Sequence, residues 1–265
     1  MNTTLNLFEK GISIYGILST LGLILSLLVV YAFARKDKFE FFDFTLVVVI
    51  TLISAFIGSK LTFILVSFDT IIQIFKLYSV MQALNIIGTG GFVFYGGLIG
   101  GFVGLIITTK IRKESVFKYT NLFALALPLG HAVGRVGCFF AGCCYGVEYN
   151  GIFSHTYKNA LDASTPIGKP LLAIQLIEAF ILVILFIALL IIYLKTNKRH
   201  NLVTWIYIIS YAIIRFVLEF LRGDVERGAL LNLSTSQWIS LAILLFVGVY
   251  FIVTSIIKSK LNKNS

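Results

Sequence analysis

The stretch PLLAIQLIEAFILVILFIALLIIYL, Pro170 to Leu194, decides the fold class. It carries a single carboxylate, Glu178, and a single amide, Gln175, and then meets Lys195, Lys198 and Arg199. A helix needs about 20 apolar residues to cross a bilayer core, and this run supplies them. Six more runs of the same kind are present: Gly11–Ala34, Phe42–Val66, Leu84–Thr109, Tyr119–Gly137, Leu202–Leu221 and Ser236–Ile257. The expectation is an all-α polytopic membrane protein with about seven transmembrane helices. Of 265 residues, 58% are hydrophobic and 13% charged, where a soluble domain carries roughly 25% charge. Mean hydropathy is +0.95. So little sequence lies outside the runs that residues 1–265 read as a single membrane-embedded domain. The first run is expected to stay as a span, because MNTTLNLFEK has no basic excess and no small-residue cleavage site follows.

The net charge of +10 does not point to nucleic acid. The basic residues form short clusters between apolar runs and not one patch or stripe. One alternating set of connections holds Arg35, Lys36, Lys38, Lys110, Arg112, Lys113, Lys118, Lys195, Lys198, Arg199, Lys258, Lys260 and Lys263. The other holds Lys10, Lys76, Lys158, Lys169, Arg222 and Arg227, nearly balanced by Glu9, Asp69, Glu148, Asp162, Asp224 and Glu226. By the positive-inside rule the N-terminus lies outside and the C-terminus in the cytoplasm, which demands an odd number of spans. Ser67–Asn85 reads as an amphipathic outer connection that can lie in the interface. Val147–Lys169 reads as an outer loop or small cap.

Five charged residues fall inside the runs: Lys60, Arg135, Glu178, Arg215 and Glu219. Each costs several kcal/mol facing lipid. Snorkelling, structural ion pairing and function are the readings open to them. Arg135 lies 16 residues past Tyr119, about 24 Å along an outward-running helix. With Lys60, Tyr95, Gln175, Glu178, Arg215 and Glu219 it is expected in the outer half, around a hydrated cavity. Tyr211, Arg215 and Glu219 at i, i+4 and i+8 line one helix face.

Two glycine-rich runs stand out. In YGGLIGGFVG, Tyr95 to Gly104, the glycines Gly100, Gly101 and Gly104 suit close helix packing. Gly96 and Gly97 beside Tyr95 suit backbone approach by a ligand. In PLGHAVGRVGCFFAGCCYG, Pro128 to Gly146, glycines flank Arg135 and allow a bent or broken helix lining a cavity. Arg135 there offers a bidentate fork to a phosphate. Cys138, Cys143 and Cys144 lack the two separated pairs of a four-ligand zinc site, so no metal is expected. Burial in a tight turn, or a disulfide from Cys138 to one of the other two, are the readings left for them.

These stretches resemble the prolipoprotein diacylglyceryl transferase family. GHAVGRVGCFFAGCCYG is similar to its signature, a Gly-Arg-hydrophobic-Gly-Asn-Phe run followed by Asn-Gly-Glu and a later Gly. YGGLIGG is similar to its His-Gly-Gly-Leu element, and YAIIRFVLEFLRGD, Tyr211 to Asp224, to its Tyr/Arg/Glu helix followed by Arg and Asp. IYG at Ile14–Gly16, GSKL at Gly58–Leu61 and QLIEA at Gln175–Ala179 follow the same order across almost the whole chain. The chain departs from the pattern at Tyr95, where the family has histidine, at Cys138 and Ala141, where it has asparagine, and at Cys143, where it has glutamate. Ala173 and Ile177 replace a Pro and a Tyr of the family. Arg135, Gly146, Tyr211, Arg215 and Glu219 match.

The resemblance implies a seven-spanning enzyme of the bacterial cell membrane. Its reaction moves the diacylglyceryl group of phosphatidylglycerol to the lipobox cysteine of a preprolipoprotein and releases glycerol phosphate. The implied partners are phosphatidylglycerol, the lipobox peptide and membrane lipid, with no cofactor. Arg135, Tyr211, Gly96 and Gly97 are expected to bind the phospholipid. Arg215, oriented by Glu219, is expected to stabilise the leaving phosphate. Tyr95, at the usual histidine position, is also expected among the catalytic residues, and His131, one turn before Arg135, is the candidate base. Two other readings stay open: a paralogue using a different acceptor, and a non-catalytic phospholipid-binding protein.

Overall fold

The structure is a computed structural model. It describes residues 4–7, 10–89, 91, 93–196, 201–224, 229–230 and 233–263; the side chains of 4–7, 10–12, 89, 94, 95, 229, 230, 262 and 263 lie outside the description. Glu9, Lys198, Arg199, Glu226 and Arg227 of the charge count also lie outside the described residues.

The protein is an all-α polytopic membrane protein. Helices α1 (Ile14–Lys36), α2 (Phe41–Val66), α3 (Phe68–Leu77), α4 (Val80–Thr89), α5 (Phe94–Ile111), α6 (Val116–Ala141), α7 (Ile174–Lys195), α8 (Leu202–Glu219) and α9 (Thr235–Lys263) follow in order. Among the described residues six of them, α1, α2, α6, α7, α8 and α9, are long and apolar enough to cross a membrane; α5 is a shorter apolar helix. Phe180, Leu245 and Phe246 point outward from these helices and are exposed. That is natural in hydrocarbon, where lipid is as apolar as the side chain. Three two-stranded hairpins add little: β1 (Thr4–Leu7) with β2 (Lys10–Ser13), β3 (Ser154–Thr156) with β4 (Pro170–Leu172), and β5 (Ala229–Leu230) with β6 (Leu233–Ser234).

Two boundaries differ from the expectation. The run Leu84–Thr109 is not one helix: α4 ends at Thr89 and α5 begins at Phe94. Gly91 between them has φ +44°, a left-handed conformation that glycine adopts without a Cβ penalty. The helix bearing Arg135 is not broken by its glycines. α6 runs unbroken to Ala141 and stops at Gly142, whose φ of +77° and N–H to the Phe139 carbonyl at 3.2 Å form a left-handed cap.

The chain forms two compact units, residues 34–119 and residues 1–33 with 120–265. In the first, α2 packs on α5. A Cβ at Gly58 would run into the carbonyl of Gly96 and the backbone of Gly100, so the two backbones touch as small residues allow. Lys60 donates to the Ile87 and Gly88 carbonyls, at the C-terminal end of α4, where a cation satisfies unpaired carbonyls and the helix dipole.

In the second unit α6 and α7 form the centre. Ala124, Leu125 and Ala132 of α6 pack with Ala179, Leu182, Leu185 and Leu189 of α7 and Val203 of α8, and Val29 and Phe33 of α1 close the cluster. Gly130 of α6 meets Gly22 of α1 so closely that a Cβ on either would strike the other's backbone, and Ser26 Oγ donates to the Ala126 carbonyl at 3.2 Å. Thr204 Oγ1 donates to Asn121 Oδ1 at 2.8 Å, which fixes the starts of α6 and α8 together. Trp205 stacks on Tyr250 at 4.8 Å, and Gln237 Nε2 reaches the Phe216 carbonyl at 3.4 Å, so α8 and α9 pack antiparallel.

Candidate active site

The site in the second unit begins with α8. Helical spacing puts Tyr211, Arg215 and Glu219 on one face, and that face is turned inward: Arg215 and Glu219 are buried. Arg215 Nη2 lies 2.7 Å from Glu219 Oε2 and donates to Ser236 Oγ at 3.1 Å. Ser236 stands in the first turn of α9, whose start is fixed by a reciprocal capping box. The Gln237 N–H donates to Ser234 Oγ at 3.2 Å, and the Ser234 N–H to Gln237 Oε1 at 2.9 Å.

The second part comes from α6 and α7. Arg135 Nε lies 3.0 Å from Glu178 Oε1, and His131 Nε2, one turn back on α6, lies 3.8 Å from the same oxygen. Glu178 is 2% exposed, so removing its partners would leave a charge in hydrocarbon. Tyr211 packs its ring on His131 with centroids 5.4 Å apart, which ties α8 to α6. The two halves share one electrostatic neighbourhood. Arg215 is repelled by Arg135 and Arg222 and attracted by both Glu219 and Glu178.

The third part is the connection after α8. Arg222 Nε and Nη2 clasp Asp224 at 2.9 and 2.8 Å, with side chains 3% and 12% exposed. The sequence places these two residues among the charges of a connection between spans; in the structure they form a buried fork. Burial works against the Arg222 charge, but the Asp224 hydrogen bonds and the adjacent Cys144 hold its pKa above the ordinary arginine value. Among the described residues, Arg215 Nη1 and Arg222 Nη1 are buried without a hydrogen-bond partner.

Arg222 is held there by the turn that follows α6. Gly146 bridges Arg222, Val147 N–H donates to the Leu221 carbonyl and Gly223 N–H to the Tyr145 carbonyl, both at 3.0 Å. A Cβ at Gly146 would meet Leu172 and the Leu221 carbonyl, which is why that position is glycine. Gln175 Nε2 donates to the Cys143 carbonyl at 2.7 Å and to Tyr157 Oη at 3.3 Å, and Thr165 Oγ1 to the Gly142 carbonyl at 2.8 Å. Burial pushes Tyr157 up to about 12, against the lowering effect of the Gln175 hydrogen bond.

This pinned turn brings the Cys138, Cys143 and Cys144 sulphurs within 4.8 Å of one another. Among the described residues none of the three forms a disulfide. Hydrogen bonds from Cys138 and Cys143 hold the Cys144 pKa below its ordinary value; burial opposes this, and the Arg222 and Arg135 guanidiniums assist it. Cys143 shifts the other way, because it is the donor to its two neighbours and is buried.

The remaining expected site residues lie on α5 in the other unit. Gly96 packs against Gly58 and Thr62 of α2, and Gly97 against Ala55 and Ser59. A Cβ at Gly96 would strike Thr62 and the Gly58 carbonyl, so close helix packing requires that glycine, whereas a Cβ at Gly97 would meet only ordinary contacts. The Tyr95 side chain lies outside the described residues.

A family model described as prolipoprotein diacylglyceryl transferase matches residues 3–254. The chain belongs to the prolipoprotein diacylglyceryl transferase family. It is 32% identical over 243 residues to phosphatidylglycerol–prolipoprotein diacylglyceryl transferase 2 of Clostridium perfringens (strain 13 / Type A), covering 90% of each chain. It is 30% identical over 236 residues to the phosphatidylglycerol–prolipoprotein diacylglyceryl transferase of Clostridium tetani (strain Massachusetts / E88), covering 89% of this chain and 90% of that one. Of the residues matched by resemblance within this transferase family, Gly146 lies in the turn after α6, and Arg135, Tyr211, Arg215 and Glu219 line the candidate site. Glu178, Arg222, Asp224 and Ser236 complete it. Glu178 sits in the QLIEA stretch and Arg222 and Asp224 in the LRGD stretch, so their presence was readable but their pairing was not.

Proposed function

We propose that this chain transfers the diacylglyceryl group of phosphatidylglycerol to the lipobox cysteine of preprolipoproteins in the bacterial cell membrane. The supporting observation is the Arg215 guanidinium: it is buried, held by Glu219 and Ser236, and its Nη1 nitrogen has no hydrogen-bond partner among the described residues. A buried unpaired donor is costly, and a phosphate oxygen would satisfy it. We assign the headgroup phosphate to Arg135 and Arg215. Arg135 Nε meets Glu178 as an ion pair without hydrogen-bond alignment, so its fork is available to turn to an anion. As the acceptor thiolate forms its bond to the glyceryl carbon, the C–O bond to phosphate breaks and glycerol phosphate leaves with the electron pair. Arg215 stabilises that developing charge in a water-poor site, where such a donor contributes most. His131, beside Glu178 and under Tyr211, accepts the thiol proton. Tyr211 positions His131 through ring contact.

The topology belongs to the same reading: α5 spans with the six longer helices, the N-terminus lies outside, and the tail carrying Lys258 and Lys260 is cytoplasmic. The test is complementation of a transferase-depleted bacterium, with thioether lipid on a reporter lipoprotein as readout. Lipidated reporter supports the reading. Consumption of phosphatidylglycerol with an unmodified reporter would transfer the assignment to a different acceptor, and no consumption would end it.

A further inference from the structure

The mechanism above leaves the three cysteines unused, although they stand at the heart of the site. Their separation in sequence gives no four-ligand zinc pattern, but the fold does something that spacing does not show: it converges all three sulphurs to within 4.8 Å. Two left-handed residues, Gly142 at φ +77° and Cys144 at φ +58°, make the turn that does it. A non-glycine residue in that region is uncommon and strained, and here the strain carries the Cys144 thiol back toward the last turn of α6. The turn is pinned from four sides, by Gln175, Thr165, Leu172 and Leu221.

We propose that Cys138, Cys143 and Cys144 form a three-thiolate site for a thiophilic divalent ion of the zinc class, whose fourth position takes the thiol of the acceptor cysteine. A zinc–sulphur bond of about 2.3 Å places tetrahedral sulphurs about 3.8 Å apart. The trio therefore has to close by about 1 Å at most. Three protein ligands with one open position is the arrangement of a catalytic and not a structural zinc site. Electrostatics select soft ligation. A cation on neutral ligands would be repelled by Arg135 and Arg222. With three thiolates the complex is an anion, and Arg222, whose guanidinium hydrogen-bonds Cys144, favours it.

The role of the fourth ligand rests on the transferase reading. The acceptor thiol coordinates the ion and releases its proton to His131 or solvent. The metal-bound sulphur then forms the C–S bond as the C–O bond to phosphate breaks, and the ion keeps its charge throughout. At pH 7 a free thiol of pKa about 8.5 is only about 3% ionised, whereas a coordinated one is deprotonated. The ion thus raises the reactive fraction by up to about 30-fold.

The test uses full-length protein purified in detergent under thiol reductant and dialysed against zinc, then separately against cobalt. About one zinc per chain is expected in the wild type, and none in the Cys138→Ser/Cys143→Ser/Cys144→Ser variant. The single variant Cys144→Ser, required to elute as wild type in size exclusion, should bind zinc more weakly. Cobalt should give thiolate-to-metal charge-transfer bands that shift with a lipobox peptide carrying cysteine and not with its serine version. Absence of zinc from reduced wild type, or equal zinc in the triple variant, overturns the site. Bands indifferent to the cysteine peptide overturn the fourth-ligand role. If the metal and peptide bind but no thioether forms, the transferase reading fails and the site stands. If a chelator strips the ion and the rate of thioether formation is unchanged, the metal's role fails and the transferase stands.

Discussion

Two ion pairs meet in the same buried site by different routes. Arg215 and Glu219 are four residues apart on α8 and pair at 2.7 Å. Arg135 and Glu178 come from α6 and α7 and pair at 3.0 Å. The first pair exists wherever α8 is a helix. The second exists only because Ala132, Ala179 and Leu182 let α6 and α7 approach. The difference lies in what each carboxylate has to hold. Glu219 shares Arg215 with Ser236, whereas Glu178 serves Arg135, neighbours His131 and also attracts Arg215. Glu178 is therefore the keystone, and losing it should hurt most.

The largest expected effect is on stability. Glu178→Gln leaves Arg135 buried without its anion, and breaking a buried pair from one side costs about 3–5 kcal/mol. The thermal midpoint in detergent should fall well below that of Glu219→Gln, in which Arg215 keeps Ser236. Equal midpoints would mean that the tertiary pair is no more demanding than the local one. Next come the arginines, read by rate. Arg135→Lys and Arg215→Lys keep the charge and lose the planar fork. Each should lower thioether formation by about 10²–10³-fold at normal membrane level. A Lys variant as active as wild type would reduce that arginine to a packing charge.

The contrast also explains what could be read from the chain alone. The α8 face was legible because i, i+4, i+8 spacing is a property of one helix. Arg135 was legible as an expensive charge within an apolar run. The Glu178 partnership was not, because helix periodicity does not say which helices touch. Arg222 and Asp224 looked like outer-loop charges, since a hydropathy window ends at Leu221. Their burial depends on a backbone bridge to Gly146, 76 positions earlier. The glycines around Arg135 misled about a broken helix: Gly130 and Gly137 are small because α1 lies against them. The cysteines read as buried in a tight turn or as a disulfide pair, because a left-handed residue at Cys144, which converges all three sulphurs, is invisible in a spacing pattern.

A smaller effect is expected at Ser236. Ser236→Ala removes one buried hydrogen bond to Arg215 without unpairing it from Glu219. The expected cost is about 1–2 kcal/mol in stability and a rate loss near 10-fold. If Ser236→Ala matches Arg215→Lys in rate, the serine fixes the guanidinium plane and Glu219 contributes little to its orientation.

The smallest effect separates burial from charge as the reason for this ranking. Lys169 and Glu148 also form an ion pair, in the connection between α6 and α7 beside β4, but their side chains are 55% and 61% exposed. Water screens both partners, and holding two long side chains in one geometry costs entropy, so such pairs contribute about 0–1 kcal/mol. The backbone there has its own support: Tyr149 N–H donates to the Pro170 carbonyl at 3.0 Å and Glu148 bridges Leu171. Lys169→Gln should therefore lower the thermal midpoint by no more than about 2–4 °C and leave the transfer rate unchanged, with no dependence on added salt beyond that of wild type. Glu148→Gln should behave the same way. A midpoint drop for either variant approaching that of Glu178→Gln would show that charge pairing itself, and not the removal of Glu178 from water, sets the order of these effects.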